Sequence, residues 1–189
     1  EQVITQFKKI HGRPPKRAVF LIHAPGVLCL EERAQGAKDV CKRMGVANFD
    51  KVDTTGDAAK VQETLRAYLQ KYPDTEAVFT GWGAVANWSV QLLAELGRLG
   101  NIFKPARKGD VFVGAIDVDV DCLKNIAKGD IVCTVDQQPY LQGYFSALVL
   151  YLWNEHRFSP IGSIKTGPLL IDATNAELMI KEAEAGFRG

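Results

Sequence analysis

Short runs of apolar and β-branched residues alternate along the chain with longer stretches whose apolar positions recur at helical spacing. The runs are Ala18–His23, Phe49–Asp53, Ala77–Gly81, Val111–Ile116 and Ile131–Val135. Several are apolar on successive residues, which is the mark of strands buried on both faces, as in parallel sheets. Between them lie the amphipathic stretches Leu30–Met44, Ala58–Tyr72, Ala84–Leu99 and Val120–Ala127. Leu93, Leu96 and Leu99 fall at helical spacing, and Gly100 is the expected stop. The aspartates of Asp117–Asp121 are placed to cap the helix that follows. Thr174-Asn-Ala-Glu177 reads as a capping box opening a last short helix. The pattern predicts an α/β, three-layer, doubly wound parallel sheet of Rossmann-like type, carried by five strands.

Tyr140–Trp153 departs from this pattern, because it predicts a helix that is apolar nearly all round. Such a helix must be buried on several sides. A five-strand sheet already carrying four or five helices has little room for it, so its partner is expected outside the 189 residues.

Composition narrows the function class. Lys plus Arg is 23 and Asp plus Glu is 22, so the net charge of +1 lacks the basic excess of a nucleic-acid clamp. No apolar run reaches the roughly 18 residues of a membrane helix. The chain begins at Glu1 without a charged-then-apolar leader, so no signal peptide is expected within this sequence. Four cysteines are too few for a disulfide scaffold, and none has zinc spacing. Cys29 and Cys41 are expected on one helix about 18 Å apart, too far to bridge. The cluster Lys8, Lys9, Arg13, Lys16 and Arg17 reads as a solvated face. His11 and His156 read as surface residues.

Gly81-Trp-Gly83-Ala-Val-Ala86 formally matches the dinucleotide fingerprint GxGxxG/A, yet it follows the third strand and has no acid about 20 residues on. A tight strand-to-helix turn explains the small residues equally. No GxSxG elbow is present. His23 with Cys29 is a formal base–thiol pair, set against a loop histidine and a buried thiol.

In open α/β sheets, ligands bind beyond the carboxyl ends of the strands. Those ends carry His23-Ala-Pro-Gly-Val27, Asp53, Gly81-Trp82, Asp117 and Asp136-Gln137, with Arg33 on the first turn of the helix after the first strand. The set holds one fixed cation, carboxylates, an amide and an indole, without a nucleophile and its base. Arg and Asp suit vicinal hydroxyls, and an aromatic face covers the C–H surface of a sugar. The expectation is a binding site for a neutral polyhydroxylated ligand, with no catalytic residue, no metal and no cofactor.

The segments LEERAQGAKDV (30–40), KYPDTEAVFTGWGAVANWSVQLL (71–93), VFVGAIDVDVDCLKNIAKGDIVCTVDQQPYLQGY (111–144) and TGPLLIDATNAE (166–177) resemble type I periplasmic binding proteins. These are the ribose- and galactose-receptor group of ABC transport systems. Lactose-repressor-like regulators share the fold, but often carry a single Gln where this chain has Gln137-Gln138-Pro139. The resemblance implies a second, carboxy-terminal lobe over 1–137, a segment over 138–165 crossing to a first lobe that is missing here, and a return strand and terminal helix over 166–189.

It further implies ligand-binding roles for Arg33, Asp117 and the hinge-side Gln137. Trp82 falls where sugar receptors often place an Asn. Val27 and Cys29 fall in a loop where glucose-type receptors place polar contacts, and Gly56 falls near a stacking aromatic of ribose-type receptors. A less polar lobe suits a deoxysugar, a small polyol or another hydroxylated metabolite. The implied partners are that sugar or polyol, the first lobe and the permease subunits of an ABC importer, with no nucleic acid. The implied location is periplasmic or extracellular, with a lipid anchor as an option. The alternatives are the effector-binding core of a transcription regulator, a sensor ectodomain, and an NAD-dependent oxidoreductase working through Gly81–Ala86.

Overall fold

The structure is a computed structural model and describes residues 1–188. Seven helices and six strands follow one another along these residues. They are α1 (Gln2–His11), β1 (Arg17–Ile22), α2 (Leu28–Arg43), β2 (Asn48–Asp53), α3 (Ala58–Lys71), β3 (Thr75–Thr80), α4 (Gly83–Glu95), β4 (Phe112–Gly114), α5 (Val120–Ala127), β5 (Cys133–Asp136), α6 (Pro139–His156), β6 (Leu169–Asp172) and α7 (Ala176–Glu184). The strands form one sheet in the order β2-β1-β3-β4-β5-β6. The first five are parallel, as the apolar runs predicted. The sixth extends the expected five-strand sheet and pairs antiparallel with β5, Thr134 opposite Ile171.

Burial follows from this order. All but the first residue of central β1 is buried, whereas edge strand β2 has no buried residue. One face of the sheet packs against α3, α4, α5 and α7 through Leu65, Leu93, Leu123 and Ala176. The other face packs against α1 and α2 through Phe7, Ile4, Leu30 and Cys41. Three layers result, with two apolar seams.

Several local expectations are corrected. Helix α4 ends at Glu95, and Gly97, at φ 66°, takes the left-handed conformation after it; Gly100 instead accompanies the parallel bridge of Leu99 to Val111. The capping box at Thr174–Glu177 does not form. Asn175 caps α7 without a side-chain bond, because its Oδ1 accepts from the Asp172 N–H and the Thr174 hydroxyl donates to the Asp172 carboxylate. His11 is not a solvated residue: its ring stacks on Phe7 at 4.2 Å and meets Phe112 edge-on. The basic cluster is partly neutralised, Arg13 by Glu76 and Arg17 by Asp50 and Asp74. The four cysteines are all free, and burial pushes the Cys41 thiol up to about 11 and the Cys133 thiol up to about 12.

Helix α6 contributes no buried residue. Its Tyr144, Leu150, Tyr151 and Trp153 are exposed, more than half of each side chain facing outward. No helix among the described residues is long and apolar enough to cross a membrane. An apolar surface of this kind drives association. Residues 1–189 produced alone are therefore expected to sediment as dimers or larger species, and a monodisperse monomer contradicts the expectation.

Candidate functional site

The carboxyl edge of the sheet gathers three side chains from distant parts of the chain. Arg33 stands on α2, on its second turn rather than its first, because the helix begins at Leu28. Its Nη1 donates to the Gly81 carbonyl oxygen at 3.0 Å, and longer contacts reach Asp117 Oδ2 at 3.5 Å and Gln137 Oε1 at 3.4 Å. Gln137 Nε2 in turn donates to Asp117 Oδ1 at 2.7 Å. The guanidinium has five N–H donors and a carboxylate about four acceptor positions. Two of the three Arg33 contacts lie at the limit of hydrogen-bond length. The cluster thus retains capacity for further hydrogen bonds, and its Arg33 and Asp117 side chains are 20% and 26% exposed.

Asp117 is held by an unusual backbone. Its φ is 69°, in the left-handed region that Asp tolerates better than most residues. Strand β5 fixes this conformation from both ends of the residue. The Asp117 N–H donates to the Val135 carbonyl at 2.9 Å, and the Thr134 hydroxyl donates to the Asp117 carbonyl at 2.6 Å. Thr134 is fully buried, and sequence reasoning missed it; a lone threonine within an apolar strand was the available signal.

Trp82 ends the β3–α4 turn and is 37% exposed. Its indole meets the Trp88 ring edge-on at 5.7 Å and the His23 ring at 5.3 Å. Gly56 lies against it: a Cβ there would sit 3.9 Å from the indole. The turn itself demands small residues. A Cβ on Gly83 would lie 2.6 Å from Asp119 Oδ2 and 3.3 Å from the Asp117 carbonyl, and one on Gly81 would lie 3.2 Å from Leu30. Packing of turn against turn accounts for the GxGxxA pattern. Asp119, so seated, caps α5 through the Cys122 N–H and accepts from Asn87.

The other expected residues stand apart from the cluster. Val27 caps α2 and is exposed, as is Cys29 on the first turn; neither hydrogen-bonds to Arg33, Asp117 or Gln137. Asp53 turns toward Lys51 at 3.9 Å. Asp136 is buried and serves the backbone, accepting from the Gln138 N–H at 2.6 Å and pairing with Arg188. Gln138, at φ 56°, and Thr166 join the two segments that run beside each other at residues 137 and 166: Gln138 donates to the Thr166 carbonyl and Thr166 to the Gln137 carbonyl. No group of three or more His, Cys, Asp or Glu among the described residues is arranged to hold a metal.

The family model described as "Periplasmic binding protein domain" matches residues 3–153. The chain belongs to this family. The xylose/arabinose-binding protein XylF of Sulfolobus acidocaldarius is 28% identical over 163 residues, which are 85% of this chain and 39% of that protein. A carbohydrate transporter from Acidothermus cellulolyticus 11B in complex with myo-inositol superposes with a TM-score of 0.79 at 24% identity, over 99% of this chain and 60% of that one. A carbohydrate transporter solute-binding protein from Agrobacterium Radiobacter in complex with D-arabinose gives 0.77 at 22% identity, with the same coverage. The structural likenesses establish the periplasmic-binding-protein fold. The chain spans 39% of the curated relative and 60% of these two structures.

Gly83→Ala is expected to displace Asp119 from its cap. The expected cost is about 1–2 kcal/mol of stability, the scale of a lost N-cap. Urea unfolding measures it, and a variant as stable as the parent contradicts this packing.

Proposed function

We propose that this chain is the second lobe of a solute-binding receptor that captures a pentose, polyol or similar hydroxylated molecule for an ABC importer. The Arg33–Asp117–Gln137 cluster beside an exposed indole carries the reading. It offers donors and acceptors to hydroxyls, with Trp82 against the C–H face of a ring. A relative named as a xylose/arabinose-binding protein, and fold neighbours in complex with myo-inositol and D-arabinose, support the same ligand class.

The lobe occupies 1–137. Residues 138–165 cross to a first lobe whose surface receives α6, and 166–189 return to the sheet. The ligand is enclosed when the two lobes close about the hinge, and the closed receptor docks on the permease. Capture of this kind needs no catalytic group and no cofactor. The receptor works in the periplasm or at the outer cell surface, where a lipid anchor is one means of retention.

A thermal-shift screen of the intact protein against pentoses, hexoses, deoxysugars, polyols and NAD tests the reading. Ligands that bind the folded state raise the melting temperature by mass action. A rise with a sugar or polyol is expected, and Arg33→Ala is expected to weaken that binding by about 1.5–3 kcal/mol. A rise with NAD alone overturns the reading. No rise in the two-lobed protein moves it to a regulator or sensor with another effector. Unchanged affinity in Arg33→Ala removes that residue from the site.

A further inference from the structure

His23 stands where β1 leaves the sheet, beside Trp82, and its imidazole lacks hydrogen-bond partners among the described residues. Nδ1 is buried with nothing to bond, whereas Nε2 is open. Buried N–H groups without an acceptor are rarer than buried acceptors without a donor. The favoured neutral tautomer therefore carries its proton on Nε2, leaving a free donor at the edge where Arg33 and Asp117 stand. The β1–α2 loop otherwise presents little to a hydroxyl. Val27 and Leu28 are exposed apolar groups, and Glu31 is committed to Lys51 and to the Gly26 N–H.

Resting on the receptor reading above, we propose that His23 Nε2 donates a hydrogen bond to a ligand hydroxyl and makes capture sensitive to pH. The charged groups facing His23 are Arg33 from α2 and Asp117 from the turn after β4. Strand β2, on the other side of β1, ends in Asp53, which is turned to Lys51, and the β3–α4 turn contributes the uncharged Trp82. Burial lowers the imidazole below its ordinary 6.5; Asp117 opposes that shift and Arg33 adds to it. Closure over the ligand removes more water and disfavours the imidazolium further. The bound state then holds fewer protons than the free state. Affinity is full above the ordinary histidine range and falls as pH drops through the free-state value.

Calorimetry of the intact protein with D-xylose, and with L-arabinose in parallel, at pH 5 and pH 7.5 provides the test. His23→Ala is expected to weaken binding at pH 7.5 by roughly three- to tenfold, the range of one lost hydrogen bond. His23→Gln, which returns an amide N–H near Nε2, is expected to recover most of this while losing the decline at pH 5. Circular dichroism confirms that both variants fold. Equal affinity and an unchanged pH profile in both variants overturn the role of His23 alone. Loss in both variants, with the pH profile kept, assigns His23 to packing and overturns the proposal. Binding of neither sugar by the parent protein overturns the receptor reading for pentoses, and this role with it.

Discussion

The hydrogen bond from Arg33 to the Gly81 carbonyl, 3.0 Å long, holds the fixed cation of α2 against the turn that ends β3. Two other side chains at the carboxyl edge approach that charge. Asp117 approaches it from the end of β4, Gln137 from the end of β5, and each makes a contact at the edge of hydrogen-bond length. A cation anchored by one short bond to a carbonyl and surrounded by longer ones is positioned yet unsaturated. That condition suits a site whose remaining donors and acceptors are completed by hydroxyls.

The site is precise because its members stand on rigid elements with buried support. Asp117 holds a left-handed backbone only because Thr134 and Val135 of the neighbouring strand grip it from two sides. Trp82 presents its indole from a turn where Gly83 admits Asp119 closer than a Cβ allows and Gly81 leaves tight room beside Leu30. The hydrogen bonds of Gln138 and Thr166 join two strand ends far apart in sequence directly beside Gln137.

The parallel strands were legible because burial on both faces writes itself as unbroken apolar runs. Asp117 and Gln137 were legible as strand-end polar residues and Arg33 as a helix cation within reach of the same edge, and the structure brings those three together. The antiparallel pairing of β6 was not, since Leu169–Ile171 is too short to declare its direction. Thr134 was hidden for a different reason: its role depends on backbone approach and burial, which periodicity does not encode. His23 was visible at a strand end, but its buried, unpartnered Nδ1 was not. His11 misled because a single histidine after a helix looks solvated until Phe7 and Phe112 close over it. Asp136 sits at a strand end as Asp117 and Gln137 do, and only its burial against Arg188 reveals its structural service.

The crystal structure of the intact protein grown with whichever sugar or polyol raises its melting temperature most tests the central claim directly. The account predicts ligand hydroxyls within hydrogen-bond distance of Arg33 and of Asp117, with Trp82 against a C–H face. A sugar seated elsewhere, with the Arg33–Asp117–Gln137 cluster unchanged and uncontacted, contradicts it.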